Sequence, residues 1–182
     1  MYEVVKSEER YRGRIFSVVA DEVTMADGSV ASRDVVMKLG AVGVVAVDED
    51  GHVVLVRQYR HAVRQYLWEL PAGLVDVAGE DLVDTARREL AEETDLTASR
   101  VEHLLDLHLS PGFTNETIRL FLARDLSEVP HGDRHARVDE EADLQVRRLP
   151  LAEAVTMVLR GEITNAAAVA GLLAAAAVLR SS

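Results

Sequence analysis

The sequence predicts an α/β protein in which helices pack on a mixed β-sheet, with a small separate antiparallel sheet at the N-terminus. Three observations predict it: short apolar runs separated by turn signals, one segment whose apolar residues recur at helical spacing, and two apolar helical segments near the C-terminus. With 182 residues, the chain is long enough for one domain, or for a core domain with a small appendage.

The N-terminal region is the candidate for the separate sheet. Residues 15–38 alternate loosely between apolar and polar side chains, and turn signals interrupt them at residues 26–28 and at Ser32. This pattern indicates short antiparallel strands. We therefore expect residues 1–38 to form a small β region and residues 39–182 to form the main domain.

The rest of the chain shows strand patterns and a change to helical periodicity. Leu82, Ala86 and Leu90 recur at four-residue steps, which predicts an amphipathic helix over residues 81–94. The other predicted elements are strands at residues 41–47, 53–56, 66–70, 104–109, 117–123 and 144–149, a polar loop at 129–143, and helices at 151–160 and about 165–179.

The composition excludes several classes of partner. The net charge is −11, and no basic run is longer than two residues, whereas a nucleic-acid binder needs a basic patch to neutralise phosphates. The chain has no cysteine, which excludes disulfides and thiolate chemistry and fits a cytoplasmic location. Its N-terminus lacks the apolar core of a signal peptide, and the apolar stretch at residues 166–179 is too short for a membrane span. We expect neither a nucleic-acid nor a membrane partner.

The most informative segment, residues 73–96, concentrates carboxylates on one side of a helix. Glu89 and Glu93 are one turn apart, Glu92 borders the same face, and Glu80 lies at or before the helix start. Like charges so arranged normally destabilise a helix. The arrangement is explained if divalent cations lie among them, because Mg²⁺ prefers hard oxygen ligands and bridges to substrate phosphates.

The alternative is an ordinary surface helix in which Arg87 and Arg88 pair with neighbouring glutamates. The spacing of these residues favours a metal-binding site over an ordinary surface helix. It resembles the signature of the Nudix hydrolases, G-x5-E-x7-R-E-U-x-E-E-x-G-U, where U is a large aliphatic residue. Six residues rather than five separate Gly73 from Glu80, and Asp95 replaces a glycine where a left-handed conformation is common. The residues that fit in register are Glu80, Arg88, Glu89, Leu90, Glu92, Glu93 and Leu96.

This resemblance implies a Nudix-type α/β/α sandwich with a mixed sheet, and Mg²⁺, with Mn²⁺ as an alternative, as the cofactor. It implies that the Ala72 carbonyl and the carboxylates of Glu89 and Glu93 ligate metal, with Glu92 assisting. Arg88 would orient these carboxylates through charge-assisted hydrogen bonds. The bound ions would polarise diphosphate oxygens and lower the pKa of the attacking water.

Four further segments carry a second resemblance: residues 58–60, 68–73, 110–114 and 139–143, with Pro111 fifteen residues after Leu96. They are similar to the ADP-ribose pyrophosphatase branch of the family. This resemblance implies Mg²⁺-dependent hydrolysis of the pyrophosphate bond of ADP-ribose, or of a related nucleoside diphosphate sugar, to AMP and ribose 5-phosphate. It also implies that Arg60, Glu69, Pro111 and Gly112 bind substrate.

The catalytic base and the oligomeric state complete the expectations. A carboxylate bound to metal ions is a poor base, so we expect the base in the polar loop at residues 131–143. Glu140 and Glu141 are the candidates, and the resemblance favours Glu141. In the resembling enzymes the N-terminal region packs against a second subunit, which implies a homodimer in which Arg33 reaches the partner's ligand.

Two other functions stay open at this point. One is a pyrophosphatase for another nucleotide sugar or a dinucleotide, such as GDP-mannose or NADH, which would leave the fold and the metal site unchanged. The other is a non-catalytic, nucleotide-sensing Nudix protein that regulates transcription. Such a sensor predicts a degenerate signature, whereas this chain keeps every carboxylate.

Overall fold

The computed structural model describes residues 2–136 and 143–181, and the chain forms two compact units. The first unit comprises residues 1–40 together with residues 108–117. The second comprises residues 41–107 and 118–182. The predicted boundary at residues 38 and 39 stays a prediction.

The first unit contains a three-stranded antiparallel sheet in the order β1–β2–β3. Its strands are β1 (Glu3–Arg12), β2 (Phe16–Thr24) and β3 (Val30–Lys38). Among the residues of these three strands only Ala20 is buried. Strand β1 was not predicted, because six of its ten residues are charged and all ten are exposed, so no apolar alternation marks it.

The second unit contains two sheets and three helices among its described residues. The strands are β4 (Ala41–Ala46), β5 (His52–Arg60), β6 (Gln65–Glu69), β7 (Ala72–Leu74), β8 (Leu96–His108), β9 (Thr117–Glu128) and β10 (Gln145–Pro150), and the helices are α1 (Leu82–Thr94), α2 (Leu151–Leu159) and α3 (Ala166–Arg180). One sheet is mixed and has four strands in the order β7–β4–β9–β8, and the other is antiparallel with the order β10–β5–β6. Strand β4 pairs antiparallel with β7 and parallel with β9, so the predicted mixed α/β class is confirmed.

Strand β4 lies between two helices, as a sandwich requires. Its Val42 and Val44 are fully buried in a cluster with Ala86 and Leu90 of α1. On the opposite side α3 approaches closely at Gly171, where an added Cβ would lie 3.0 Å from Val45 Cγ2. Alternate side chains of a strand point to opposite faces, so β4 packs against α1 on one face and α3 on the other. Within the described residues, no helix is long and apolar enough to span a bilayer.

The predicted element boundaries agree well for α1 and poorly for β8. The helix predicted at residues 81–94 extends over Leu82–Thr94, with Asp81 as its N-cap. Strand β8 was predicted at residues 104–109 and extends over Leu96–His108 instead. Its first half buries Leu96 and Ala98, but this alternation ends there. Glu102 instead pairs with Arg124 of β9, so the apolar pattern is too short to mark a strand.

Candidate active site

Both ends of helix α1 are fixed by its own sequence. At the N-terminus the Asp81 carboxylate accepts a hydrogen bond from the Val83 amide at 2.8 Å. At the C-terminus Asp95 has φ 58° and ψ 27°, and its amide donates to the Ala91 carbonyl. The left-handed conformation predicted for Asp95 is therefore confirmed. The helix consequently presents Arg88 and the glutamates that follow it at defined positions.

The turn before α1 accommodates the extra residue of the signature segment. The Glu80 amide donates to the Val77 carbonyl at 3.2 Å, which closes a four-residue turn. Gly79 occupies the third position of this turn with φ 82°, a conformation that glycine adopts without steric cost. The longer loop therefore still delivers Glu80 to the start of the helix.

Arg88 lies at the centre of the carboxylates. Its Nε donates to Glu80 Oε1 at 3.2 Å and its Nη2 donates to Glu80 Oε2 at 3.0 Å. Its Nη1 donates to Glu89 Oε1 at 2.6 Å and to Glu92 Oε2 at 3.3 Å. Asp76 Oδ1 lies 3.8 Å from Nη2. One guanidinium thus orients three carboxylates directly and faces a fourth.

These contacts shift the acidities of the cluster. The Arg88 hydrogen bonds, and then that of Thr85, lower the pKa of Glu80. Burial raises the pKa of Glu89, and the neighbouring Arg88 opposes that rise. The hydrogen bond to the Glu80 carboxylate raises the pKa of Arg88, which favours the charged guanidinium.

Strand β7 brings its backbone against the same carboxylates. A Cβ added at Gly73 would lie 2.0 Å from Glu89 Cδ, so only glycine leaves room for this carboxylate. The Ala72 amide donates to Glu93 Oε2 at 3.0 Å. Glu93 is itself buried, with 5% of its surface exposed. Glu89 and Glu93, one helical turn apart, therefore both lie against β7.

A cavity of about 260 Å³ opens beside these groups and is lined by Gln58, Arg60, Asp76, Glu89 and Glu93 together with the β7 backbone. Arg60 Nε donates to Glu69 Oε1 at 3.0 Å, and its Nη2 donates to Glu69 Oε2 at 2.7 Å. The Glu69 side chain is 4% exposed and that of Arg60 is 43% exposed. A buried carboxylate thus fixes a solvent-accessible cation in the wall of the cavity.

The donor set fits a hard divalent cation that keeps other ligands. Around Arg88 the carboxylates outnumber the cation, and Glu93 adds another close by, which leaves negative charge for a metal to balance. Within the described residues, no three Asp, Glu or His side chains converge as a complete metal cage. Mg²⁺ does not require one, because it usually takes one or two carboxylates, several waters and substrate phosphates.

The remaining predicted site residues belong to the first unit or lie outside the described residues. Arg33 is an exposed residue of β3, where its Nη1 donates to the Ser32 carbonyl at 2.8 Å. Pro111 and Gly112 belong to the first unit. Glu140 and Glu141 lie outside the described residues. The structure therefore brings together the predicted residues of the second unit, namely Arg60, Glu69, Ala72, Arg88, Glu89, Glu92 and Glu93.

Sequence reasoning missed three contributors to this site. Gln58 precedes Arg60 by two residues and so shares its strand face, a signal that the period of a strand supplies. Asp76 lies in the loop between Gly73 and helix α1. No local sequence pattern predicts that its carboxylate lies close to Arg88. Thr85 lies inside the signature segment at a position that the signature leaves open.

Comparisons with known proteins extend the match beyond the signature. The NUDIX domain family model matches residues 37–170. An ADP-ribose pyrophosphatase of Mycobacterium tuberculosis (strain ATCC 25618 / H37Rv) is 48% identical over 177 residues, covering 97% of this chain and 84% of the relative. An ADP-ribose pyrophosphatase of Bacillus subtilis (strain 168) is 31% identical over 162 residues, covering 89% of this chain and 85% of the relative.

A solved structure of an ADP compounds hydrolase has the same fold, with a TM-score of 0.85 at 24% sequence identity, over 99% of this chain and 95% of that chain. The family match covers all the described residues that form the carboxylate site, including the whole of β7 and α1. This chain belongs to the Nudix hydrolase family, whose members generally use divalent metal ions.

Proposed function

We propose that this protein hydrolyses the pyrophosphate bond of ADP-ribose, or of a related nucleoside diphosphate sugar, to AMP and ribose 5-phosphate, with Mg²⁺ or alternatively Mn²⁺ as cofactor. The observation that carries the proposal is the carboxylate cluster around Arg88, which borders a cavity that also contains Arg60. The names of relatives up to 48% identical support ADP-ribose as the substrate.

The charge of the site supports a metal-dependent reaction on a diphosphate. The chain has a net charge of −11. Among the described residues, the cavity wall carries three carboxylates, Asp76, Glu89 and Glu93, and one arginine, Arg60. A diphosphate needs positive charge on its oxygens before water can attack it. When bound by Glu89, Glu93 and the Ala72 carbonyl, Mg²⁺ supplies that charge and lowers the pKa of the attacking water.

The side chains of the site position the metal ligands and bind the substrate. Arg88 keeps Glu89 and Glu92 in fixed positions, and Gly73 admits the Glu89 carboxylate to the β7 backbone. Arg60, which Glu69 holds in place, contacts a phosphate or ribose oxygen of the substrate. These positions fix the reacting bond relative to water, which is a large part of catalysis in phosphoryl chemistry.

Glu141 is proposed as the base that takes the proton from the attacking water, with Glu140 as the second candidate. The reasoning is chemical, since the glutamates of α1 are committed to metal and to Arg88 and a base must be free to approach water. Pro111 and Gly112 are proposed to contact the substrate as well. The cysteine-free composition supports the reducing cytoplasm as the place of action.

We also propose a homodimer built through a separate N-terminal region, residues 1–38, on a hydrolase domain of residues 39–182. The three-stranded sheet buries only Ala20 among its strand residues, too little for a stable core of its own. Val4 and Val5 are each 57% exposed on β1, so a partner would cover apolar surface there. Arg33 is proposed to reach the ligand of the second subunit. Light scattering that gives a 20.0 kDa monomer at micromolar concentration would contradict the dimer.

A substrate panel tests the proposed function. The full chain is assayed with ADP-ribose, GDP-mannose and NADH in Mg²⁺, and kcat/KM is compared, with Glu93→Gln as a matched inactive control that keeps the side-chain shape. We expect ADP-ribose to give the highest kcat/KM by roughly tenfold or more and AMP to be the nucleotide product. A higher kcat/KM for GDP-mannose or NADH would overturn the substrate assignment.

A further inference from the structure

Thr85 is a fully buried polar residue in the first turns of α1, with none of its surface exposed. Its hydroxyl donates at 2.9 Å to Glu80 Oε2, and Asp81 O lies 3.1 Å from the same hydroxyl. The family signature fixes Glu80 and Arg88 but leaves position 85 open. Beyond its hydrogen bond to Glu80, this buried hydroxyl has no role in the site described so far.

The hydroxyl has one proton and two nearby acceptors. The Asp81 carbonyl already accepts the Thr85 amide at 2.9 Å, as the α-helix requires. The Glu80 carboxylate is charged, and a charge-assisted hydrogen bond is roughly twice as strong as a neutral one. The proton is therefore directed to Glu80.

This bond constrains a carboxylate that in turn holds Arg88. Glu80 Oε2 accepts from both Thr85 and Arg88 Nη2, while Glu80 Oε1 accepts from Arg88 Nε. One edge of the guanidinium is thereby occupied, and its Nη1 is left for Glu89 and Glu92. A rotation of the Glu80 carboxylate would turn the guanidinium and move both of those glutamates.

We propose that Thr85 is a positioning residue that acts through Glu80 and Arg88 to set the carboxylates of Glu89 and Glu92 for binding a divalent metal ion. The inference rests on the proposed metal-dependent hydrolysis and deepens it. Partners that orient metal ligands from outside the ligand set typically change metal affinity or activity by about 10- to 100-fold when they are removed.

Thr94 of helix α1 provides an example of a threonine with a structural role alone. Thr94 is also buried, and its hydroxyl donates to the Leu90 carbonyl at 2.5 Å. It provides a matched control, because its removal leaves a similar defect in α1. The corresponding change at Thr85 also removes a hydrogen-bond donor from Glu80, which the change at Thr94 does not.

The test compares Thr85→Ser with Thr85→Ala in the full chain, by Mn²⁺ titration followed by electron paramagnetic resonance without substrate. Both variants lose the methyl group, so the comparison isolates the hydroxyl. We expect Thr85→Ala to raise the Kd for Mn²⁺ by about tenfold, and Thr85→Ser and Thr94→Ala to keep the parent Kd. Circular dichroism checks the fold, and Thr85→Val, which fills the volume, replaces Thr85→Ala if that variant does not fold.

Equal Kd values for Thr85→Ser and Thr85→Ala would overturn the inference, as would an equal increase in Thr94→Ala. ADP-ribose turnover by the parent protein is measured on the same preparations. A parent that binds Mn²⁺ in a Thr85-dependent manner without cleaving ADP-ribose would leave the positioning role standing and remove the substrate assignment. A parent that binds no Mn²⁺ would overturn both proposals.

Discussion

Replacing Gly73 with alanine tests whether the tight contact between β7 and Glu89 is functional. The added Cβ would lie 2.0 Å from Glu89 Cδ and 2.2 Å and 2.3 Å from its two carboxylate oxygens. Gly73 has no positive φ, so alanine adopts its backbone conformation without strain. The clash is therefore with the end of a flexible side chain, which can move away.

The size of the displacement follows from ordinary contact distances. A Cβ and a carboxylate carbon approach no closer than about 3.4 Å without strain, so the Glu89 carboxylate must move by more than about 1 Å. A misplacement of about 1 Å can cost roughly 10²-fold in rate. We therefore expect Gly73→Ala to lower kcat by roughly 10²-fold with little change in Tm, because the side chain yields and the core does not.

The assay is ADP-ribose hydrolysis at saturating Mg²⁺, with melting temperatures measured in parallel. Gly40→Ala is the control, since its added Cβ would meet Thr117 Oγ1 at an ordinary 3.4 Å. Combining Gly73→Ala with Glu89→Asp, which retracts the carboxylate by one methylene, should cost less than the two single losses combined. A Gly73→Ala variant with the parent activity would refute the geometric argument. If the losses of activity of the two single variants simply add in the double variant, Gly73 and Glu89 do not act together.

Three further predictions concern single side chains. Glu141→Gln should lower kcat by roughly 10² to 10⁴ with KM little changed, and Glu140→Gln should do much less; near-parent turnover by Glu141→Gln would move the base elsewhere. Arg60→Gln leaves the buried Glu69 carboxylate without its cation. Urea denaturation should therefore show a free energy of unfolding that is lower by about 1–3 kcal/mol, and the kinetics should show a higher KM. The hydrogen bond from Arg119 lowers the pKa of Asp106 from its ordinary 3.8 to about 2. The charged Asp106 therefore stabilises the folded protein above pH 3.8, and this stabilisation is lost as the pH falls toward 2. In Arg119→Gln a carbon-13 titration should return this pKa toward 3.8, and a pKa still near 2 would contradict the pairing.

The sequence predicts the parts of the fold that carry a regular apolar period. Helix α1 could be placed to within one residue because its apolar residues face the core and Asp81 caps its start. Strand β1 could not be found, because every one of its residues is exposed and its charges show no alternation. Strand β8 was placed too short for a different reason.

That strand depends on partners far away in sequence. Arg100 and Glu102 in its first half form an ion-pair group with Arg124 of β9, 22 residues beyond Glu102. Leu96 and Ala98 at the start of the strand are buried, but the apolar alternation stops after them, and these polar pairs continue the strand through cross-strand contacts. A local pattern search that relies on apolar residues therefore begins the strand too late.

Some features of the site could be predicted from the sequence and others could not. The helical period places Glu89, Glu92 and Glu93 on one side of α1, so these residues were predictable from spacing. The approach of Gly73 to Glu89 and the hydrogen bond from Thr85 to Glu80 depend on tertiary packing and on side-chain rotamers. Such contacts decide how the carboxylates are held, and no spacing in the sequence encodes them.

The rate of ADP-ribose cleavage by the full chain, measured with Mg²⁺ and again with excess EDTA, tests the central claim most directly. Asp76, Glu80, Glu89 and Glu92 share Arg88, and Glu69 pairs with Arg60. The carboxylates therefore outnumber these two cations, so catalysis should need an added one. The account predicts AMP and ribose 5-phosphate in Mg²⁺ and no cleavage in EDTA. Undiminished cleavage in EDTA, or no cleavage of ADP-ribose in Mg²⁺, would contradict it.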